Sequence, residues 1–387
     1  MKFSFCAMAL LAVALLSGPA PSRAAEAIDR EELRLLANAF AALKQNSIEP
    51  GSDAELIEAA IRGMVRKVDP ADGRFYTPDE VAKMGRVRGE AFIGLNVTGR
   101  DGEVMVYLPV PGSPAEKAGI RPKDVLQSVD GTPVNDDSEL AVKLMSGKTG
   151  TIAKVVVRRA GKLLTFAVPR EPFKAEQVAL SMTPSGVAVL RMGQFAEDTL
   201  STVARALADQ WSRQPFKGLV LDLRRHTGGL FEPAIGVAAL FLPAGSVVTE
   251  TKGRTPDSNA VYRADRQYYA KSQSSDPLAA VPEAARRIPL VVLVDEGTSA
   301  GAEIVVAALK HHHRARIVGR PTFGKSNIQI ILPFRGGAAM KITTAYWFTP
   351  GDESIEKTGI APDVFVQSED PRIELSRAVG ELRTLRN

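Results

Sequence analysis

The 387-residue chain is predicted to be an α/β protein, on three observations. From Gly186 onward, continuous apolar segments alternate with helical patterns, as in a buried sheet flanked by helices. Between Phe92 and Val168 the pattern is one of short strands separated by glycine-bearing turns. Ahead of both, two stretches carry apolar residues near a 3.6-residue period, which predicts helices.

The chain starts with Lys2 and an apolar run from Phe5 to Leu16, about a dozen residues and too short to span a bilayer comfortably. Gly18, Pro19 and Pro21 break the run, and the small residues Ala24 and Ala25 follow. Residues 1–25 therefore read as a cleavable export signal, with an uncleaved anchor as the alternative. Cys6, the one cysteine, lies inside it, so the processed chain would have neither disulfides nor thiol chemistry. Export without disulfides fits a periplasm. The formal net charge of +5 is small and both signs are mixed throughout, which does not point to nucleic acid.

Residues 26–88 form an expected N-terminal helical region. One helix is predicted over Ile28 to Lys44, with Leu33, Leu36, Ala37, Phe40 and Leu43 on one face. Another is predicted over Asp53 to Val68, with Leu56, Ile57, Ala60, Ile61, Met64 and Val65. Such faces need a surface to pack on, either the main body or a partner subunit. Residues 89–171 hold strands at Phe92–Val97, Val104–Leu108 and Val125–Val129, and a hairpin of Lys154–Arg158 with Leu163–Val168. Ser113–Ala118 and Ser138–Ser146 read as helices. In 172–366, strands are predicted at Val187–Arg191, Leu219–Leu223, Leu290–Val294 and Arg316–Val318. Helices are predicted at Leu200–Arg213, Glu232–Leu240 and Ala302–Lys310. The polar stretch Thr251–Val281 reads as a surface loop or lid, and 367–387 as a helical tail.

Candidate chemistry starts from what is scarce. The chain has four histidines. His311-His312-His313 sit among Lys310, Arg314 and Arg316 with no acidic residue to complete a metal set, and read as a solvated turn. His226, near Gly228-Gly229, is a weak catalytic candidate. A lysine can replace histidine as general base when burial disfavours its ammonium form. Lys325 has that setting, between the turn Pro321-Thr322-Phe323-Gly324 and the run Ile328–Leu332.

Five motifs, in order, give the chain a family resemblance. They are P-x-S-P-A-x-x-A-G-I with D-V-L-Q-S-V-D-G at Pro111 to Gly131, L-D-L-R-R-H-T-G-G-L at Leu221 to Leu230, V-D-E-G-T-S-A-G-A-E at Val294 to Glu303, G-R-P-T-F-G-K-S-N-I-Q at Gly319 to Gln329, and T-T-A-Y-W-F-T-P with G-I-A-P-D at Thr343 to Asp363. The chain thus resembles the carboxyl-terminal processing proteases. The resemblance implies a ClpP/crotonase-like α/β protease core with a PDZ domain at 89–171. It implies a serine endopeptidase with protein substrates that have accessible C-termini and no metal or cofactor; the amphipathic face Leu33 to Leu43 adds the expectation of a homo-oligomer, and an adaptor protein is a further candidate partner. It makes Lys325 the general base and Gln329 the residue that orients it. Gly228 or Gly229, with Gly301, would supply the oxyanion hole, and Ile93-Gly94-Leu95 would receive a peptide C-terminus by strand addition.

One position departs from the pattern. The family places its nucleophilic serine 25 residues before the base lysine, and here that position is Ala300, within Thr298-Ser299-Ala300-Gly301-Ala302-Glu303. Three readings follow: a serine replaced by alanine, Ser299 as nucleophile, or a natural pseudoprotease acting as a PDZ scaffold. A one-residue shift at a helix start turns the side chain by roughly 100°, which argues against Ser299. The intact neighbours favour the replacement.

Overall fold

The computed structural model describes residues 29–83, 91–100, 102–110, 112–172, 178–271 and 275–385. The export signal read at 1–25 and Pro111 lie outside them. The described residues divide into two compact units, 29–83 with 331–342, and those from 91 to 330 with 343–385.

In the first unit, helices run over Arg30–Asn46 and Asp53–Val68. Ser52 and Glu55 close the second helix with a reciprocal capping box, which satisfies two otherwise orphaned N–H groups. Arg74–Tyr76 pairs antiparallel with Ala339–Lys341. No residue of Arg30–Asn46 is buried, and Leu33, Leu36 and Leu43 are exposed. The apolar face read from the sequence is therefore uncovered by the described residues.

The second unit contains two folded layers of different kinds. Residues 95–169 form an antiparallel sheet ordered Leu95–Arg100, Glu103–Pro109, Val125–Val129, Ile152–Arg159, Lys162–Pro169. Leu95–Arg100 is an edge strand, and the helix Ser138–Met145 packs beside it. Ile93, Leu95, Val106, Leu126 and Val155 fill the core between them.

The other layer is a six-stranded sheet: Val178–Met182, Ala188–Met192, Leu219–Asp222, Leu290–Val294, Arg316–Gly319, Val364–Phe365. The first pair is antiparallel and the rest are parallel. Side chains alternate across a strand, and both faces here are dry. Leu219, Leu221 and Val292 pack under the helices Thr199–Arg213, Phe231–Ala239 and Gly301–His311, while Val220, Val291 and Leu293 pack against Pro371–Thr384. Each fully buried Val or Leu contributes roughly 1.5–3 kcal/mol.

The polar stretch 251–281 is not the open loop its composition suggests. It starts inside the strand Val247–Gly253, which forms a hairpin with Ala260–Arg263 and also pairs with the end of Ala339–Phe348. Thr249 and Thr251 are buried, and their hydroxyls donate to the carbonyls of Phe348 (2.8 Å) and Ser258 (2.9 Å). Threonine is a strand former that hydropathy counts as polar.

Candidate active site

Four segments distant in sequence meet in the second unit: 95–107, 225–230, 298–303 and 322–326. Ala300 stands at the turn from the strand Leu290–Val294 into the helix Gly301–His311. Its backbone is in a sparsely populated region, φ 49° and ψ −121°. An L-residue held there costs about 1–3 kcal/mol and persists only where its surroundings impose it. Gly228 is part of those surroundings. A Cβ on Gly228 would lie 2.7 Å from Ala300 Cβ and 2.9 Å from Gly301 N, so only glycine permits this approach.

Oxyanion donors must be N–H groups with no other acceptor. Gly228 N–H is committed, donating to His226 Nδ1 at 3.1 Å. Gly229 is exposed, and its N–H has no acceptor among the described residues; Gly229 is held beside Phe195 by Phe195 N–H to Gly228 O and Leu230 N–H to Phe195 O. Gly301, the first residue of its helix, likewise has an N–H that the helix cannot satisfy.

His226 is fully buried, with its ring 4.2 Å from that of Phe195. Desolvation lowers its pKa to about 3, so it is neutral. Nδ1 accepts from Gly228, which leaves the proton on Nε2, and no described residue accepts that proton. The ring shapes the glycine turn. Ser299 is fully buried, its hydroxyl near the carbonyls of His226 (3.4 Å) and Gly297 (3.5 Å), and so is turned inward.

Lys325 leaves the turn Thr322–Gly324. Its ammonium donates to Thr98 Oγ1 at 3.3 Å and lies 5.5 Å from the centre of the Tyr107 ring. Both partners belong to the antiparallel layer. Tyr107 also packs edge-on against Phe323 (4.9 Å) and donates to Thr227 O (2.8 Å). Arg100 lies over Phe323 and donates to Lys357 O (2.9 Å), and Arg225 pairs with Glu116. Gln329, half-buried on the strand Asn327–Pro333, has an Nε2 without a hydrogen-bond partner among the described residues.

Sequence reading missed two residues here. Glu303 is fully buried, and its carboxylate accepts from Ala300 N–H (2.9 Å), Lys325 N–H (2.9 Å), Gly324 N–H (2.7 Å) and the Thr322 hydroxyl (2.5 Å). Burial pushes its pKa up to about 7 against the opposing pull of those bonds. A lone acid inside the apolar run Gly301–Leu309 was the available signal. Thr98 carried none, being an ordinary strand residue.

Ile93 and Leu95 are fully buried. Between them Gly94, at φ 77°, turns its carbonyl inward to Val110 N–H (2.8 Å) and the Ser113 hydroxyl (3.0 Å). Among the described residues, no group of three or more His, Cys, Asp or Glu could hold a metal ion. His312 Nε2 instead meets Val247 O at 2.7 Å.

The chain is similar to known proteins in sequence and in fold. Residues 186–366 match the model of peptidase family S41, and 91–169 match a PDZ domain. The carboxy-terminal-processing protease of Bartonella bacilliformis is 33% identical over 350 residues, covering 88% of this chain and 76% of its own. This chain belongs to the carboxyl-terminal processing proteases of family S41. The Bacillus subtilis carboxy-terminal processing protease CtpA is 31% identical over 339 residues, covering 87% of this chain and 69% of its own. Among solved structures, the photosystem II D1 C-terminal processing protease superposes with a TM-score of 0.72 at 27% identity, covering 91% of this chain and 98% of that one. The α/β protease fold with a PDZ domain and N-terminal helices is that of the family.

Proposed function

We propose that this chain is the Ala300 form of an exported, periplasmic Ser/Lys endopeptidase that cuts proteins near their C-termini. One observation carries the reading. Position 300 and the Lys325 turn hang on a single buried carboxylate, beside two bare N–H donors at Gly229 and Gly301. In the serine form, the hydroxyl oxygen that Ala300→Ser supplies attacks the scissile carbonyl as Lys325, the general base, takes its proton. Gly229 and Gly301 hold the oxyanion. Lys325 then protonates the leaving amine, and water resolves the acyl-enzyme by the same steps in reverse roles. Gln329, whose buried Nε2 has no hydrogen-bond partner among the described residues, is the orienting residue.

The PDZ domain would take the substrate C-terminus as an added strand on Leu95–Arg100, whose outer edge no strand of its sheet occupies. That same strand carries Thr98. Peptide binding and release of the base are thereby linked, so the PDZ domain acts as a gate.

Alanine has no nucleophilic atom, so this chain binds without cleaving. The intact Lys325, Gln329 and glycine pair support a replaced serine over a long-standing scaffold. Ala300→Ser decides between them. It is expected to react with a fluorophosphonate probe and to cleave peptides with free C-termini. Silence in both assays would establish the scaffold. The exposed leucines of Arg30–Asn46 are assigned to contact with a second copy. Light scattering of a chain lacking residues up to Lys67 should then show a smaller particle, and an unchanged subunit count would rule that helix out.

A further inference from the structure

Glu303 is a buried carboxyl group that the steps above leave unused. No ion pair to it exists among the described residues, and it sits on a helix whose residues from Gly301 to Leu309 are all buried. A carboxylate taken out of water without a cation is tolerable only where donors replace its hydration. Here the donors come from both halves of the site. Oε2 accepts from Ala300 N–H and Lys325 N–H; Oε1 accepts from Gly324 N–H and the Thr322 hydroxyl.

We propose that Glu303 is a positioning residue whose carboxylate locks the turn at 300 and the turn at 322–325 into one frame, so setting the reach from the nucleophile to Lys325. This rests on the Ser/Lys reading above and adds a residue to it.

The chemistry of the pocket selects a carboxylate. Each oxygen accepts a main-chain N–H, so both must be acceptors. A glutamine in either amide orientation would direct its NH₂ at a backbone N–H, leaving donor against donor. An aspartate is one methylene too short to span from helix to turn. The Thr322 hydroxyl has a single proton, and it is aimed at Glu303 because the same oxygen accepts from Ile360 N–H at 2.7 Å.

The base turn also has supports of its own. Lys357 N–H donates to Gly324 O, Ser326 N–H and its hydroxyl donate to Glu356, and Trp347 N–H donates to Ser326 O. Loss of Glu303 should therefore uncouple the turn from position 300 without dissolving it. A displacement of about 1 Å costs on the order of 100-fold in rate.

The test has two arms. In the full-length Ala300→Ser chain, Glu303→Gln and Glu303→Asp should each lower kcat by about 30- to 100-fold with KM changed less than about threefold. A kcat within about threefold of the parent, or a loss confined to KM, overturns the proposal. An inactive Ala300→Ser parent instead refutes the Ser/Lys reading, and the second arm then decides alone. It measures amide exchange in the Ala300 chain. Glu303→Gln should speed exchange at Ala300, Gly324 and Lys325 by about tenfold or more while Ser326 and Trp347 stay protected. Unchanged exchange at the first three overturns the proposal. If Glu303→Gln does not fold, Thr322→Val, which removes one donor of four, takes its place in both arms. It is expected to lower kcat by about three- to tenfold and to speed Gly324 exchange. No change in either measure overturns the proposal.

Discussion

Positions 300 and 325, which the proposed mechanism joins in one reaction, are held in opposite ways. At 300 the main chain is under strain and everything around it belongs to the protease layer: Gly228 against its Cβ, His226 behind the glycine turn, Glu303 on its N–H. At 325 the main chain is equally fixed, but the working end of the side chain rests on Thr98 and Tyr107 of the PDZ layer. On the proposed mechanism the nucleophile side is held by one layer and the base side is shared between two, which makes the base the side open to regulation.

The largest effect should come from the base itself. In the Ala300→Ser chain, Lys325→Met is expected to cut kcat by about 100- to 10,000-fold, the usual contribution of a general base. Steady-state cleavage measures it. Residual activity near the parent's would mean that some other group takes the serine proton, and the comparison would lose one of its poles.

A change of intermediate size should appear on the rigid side, as stability. The His226 pKa is lowered in the folded chain to about 3. The stability that follows is present above the ring's ordinary pKa of about 6.5 and is lost as pH falls from there toward about 3, at up to about 1.4 kcal/mol per pH unit. Glu303 acts in the opposite sense. Its raised pKa gives stability that is complete below about 4.5 and lost as pH rises through about 7. His226→Asn keeps an acceptor for Gly228 N–H but does not titrate. Its Tm should gain on the parent's as pH is lowered from 6.5 to 4. Parallel melting curves over that range would show that the ring is not buried as described.

The smallest effect tests the shared side directly. Thr98→Val removes the oxygen that receives the Lys325 ammonium, a bond worth about 1 kcal/mol. In the Ala300→Ser chain it should raise cleavage of short peptides about fivefold. A fall instead would place Thr98 within the catalytic constellation rather than across from it, and the gate would be lost.

The sequence showed the parts of the molecule that repeat a simple rule. Leu219–Asp222 and Leu290–Val294 are continuous apolar strands and form the centre of the parallel sheet. The hairpin around Ala160-Gly161 was legible from its turn and is longer than expected, Ile152–Arg159 with Lys162–Pro169. The strand Val247–Gly253 was not legible, because two of its buried positions are threonines whose hydroxyls donate to carbonyls 7 and 99 residues away. The site divides in the same manner. Ala300, Lys325, Gln329 and the glycines stand in linear motifs. Glu303 stood in one as well, but its role depends on donors 19 to 22 residues further along, which no local pattern records. Thr98 lies 227 residues from the lysine it holds. His226 changed meaning: a weak catalytic candidate by proximity, it is a buried acceptor that fixes a turn.

The distance between Thr98 and Lys325 along the chain has a consequence for how such an enzyme is made. Contacts of long sequence separation close late, because their loop entropy must be spent before they return anything. An unfolded chain would carry Lys325 and Gln329 and yet have no hydrolytic site. Positions 229, 300–301 and 325–329 must first meet in the folded protease layer, and the Thr98 contact then restrains the base of a site that already exists.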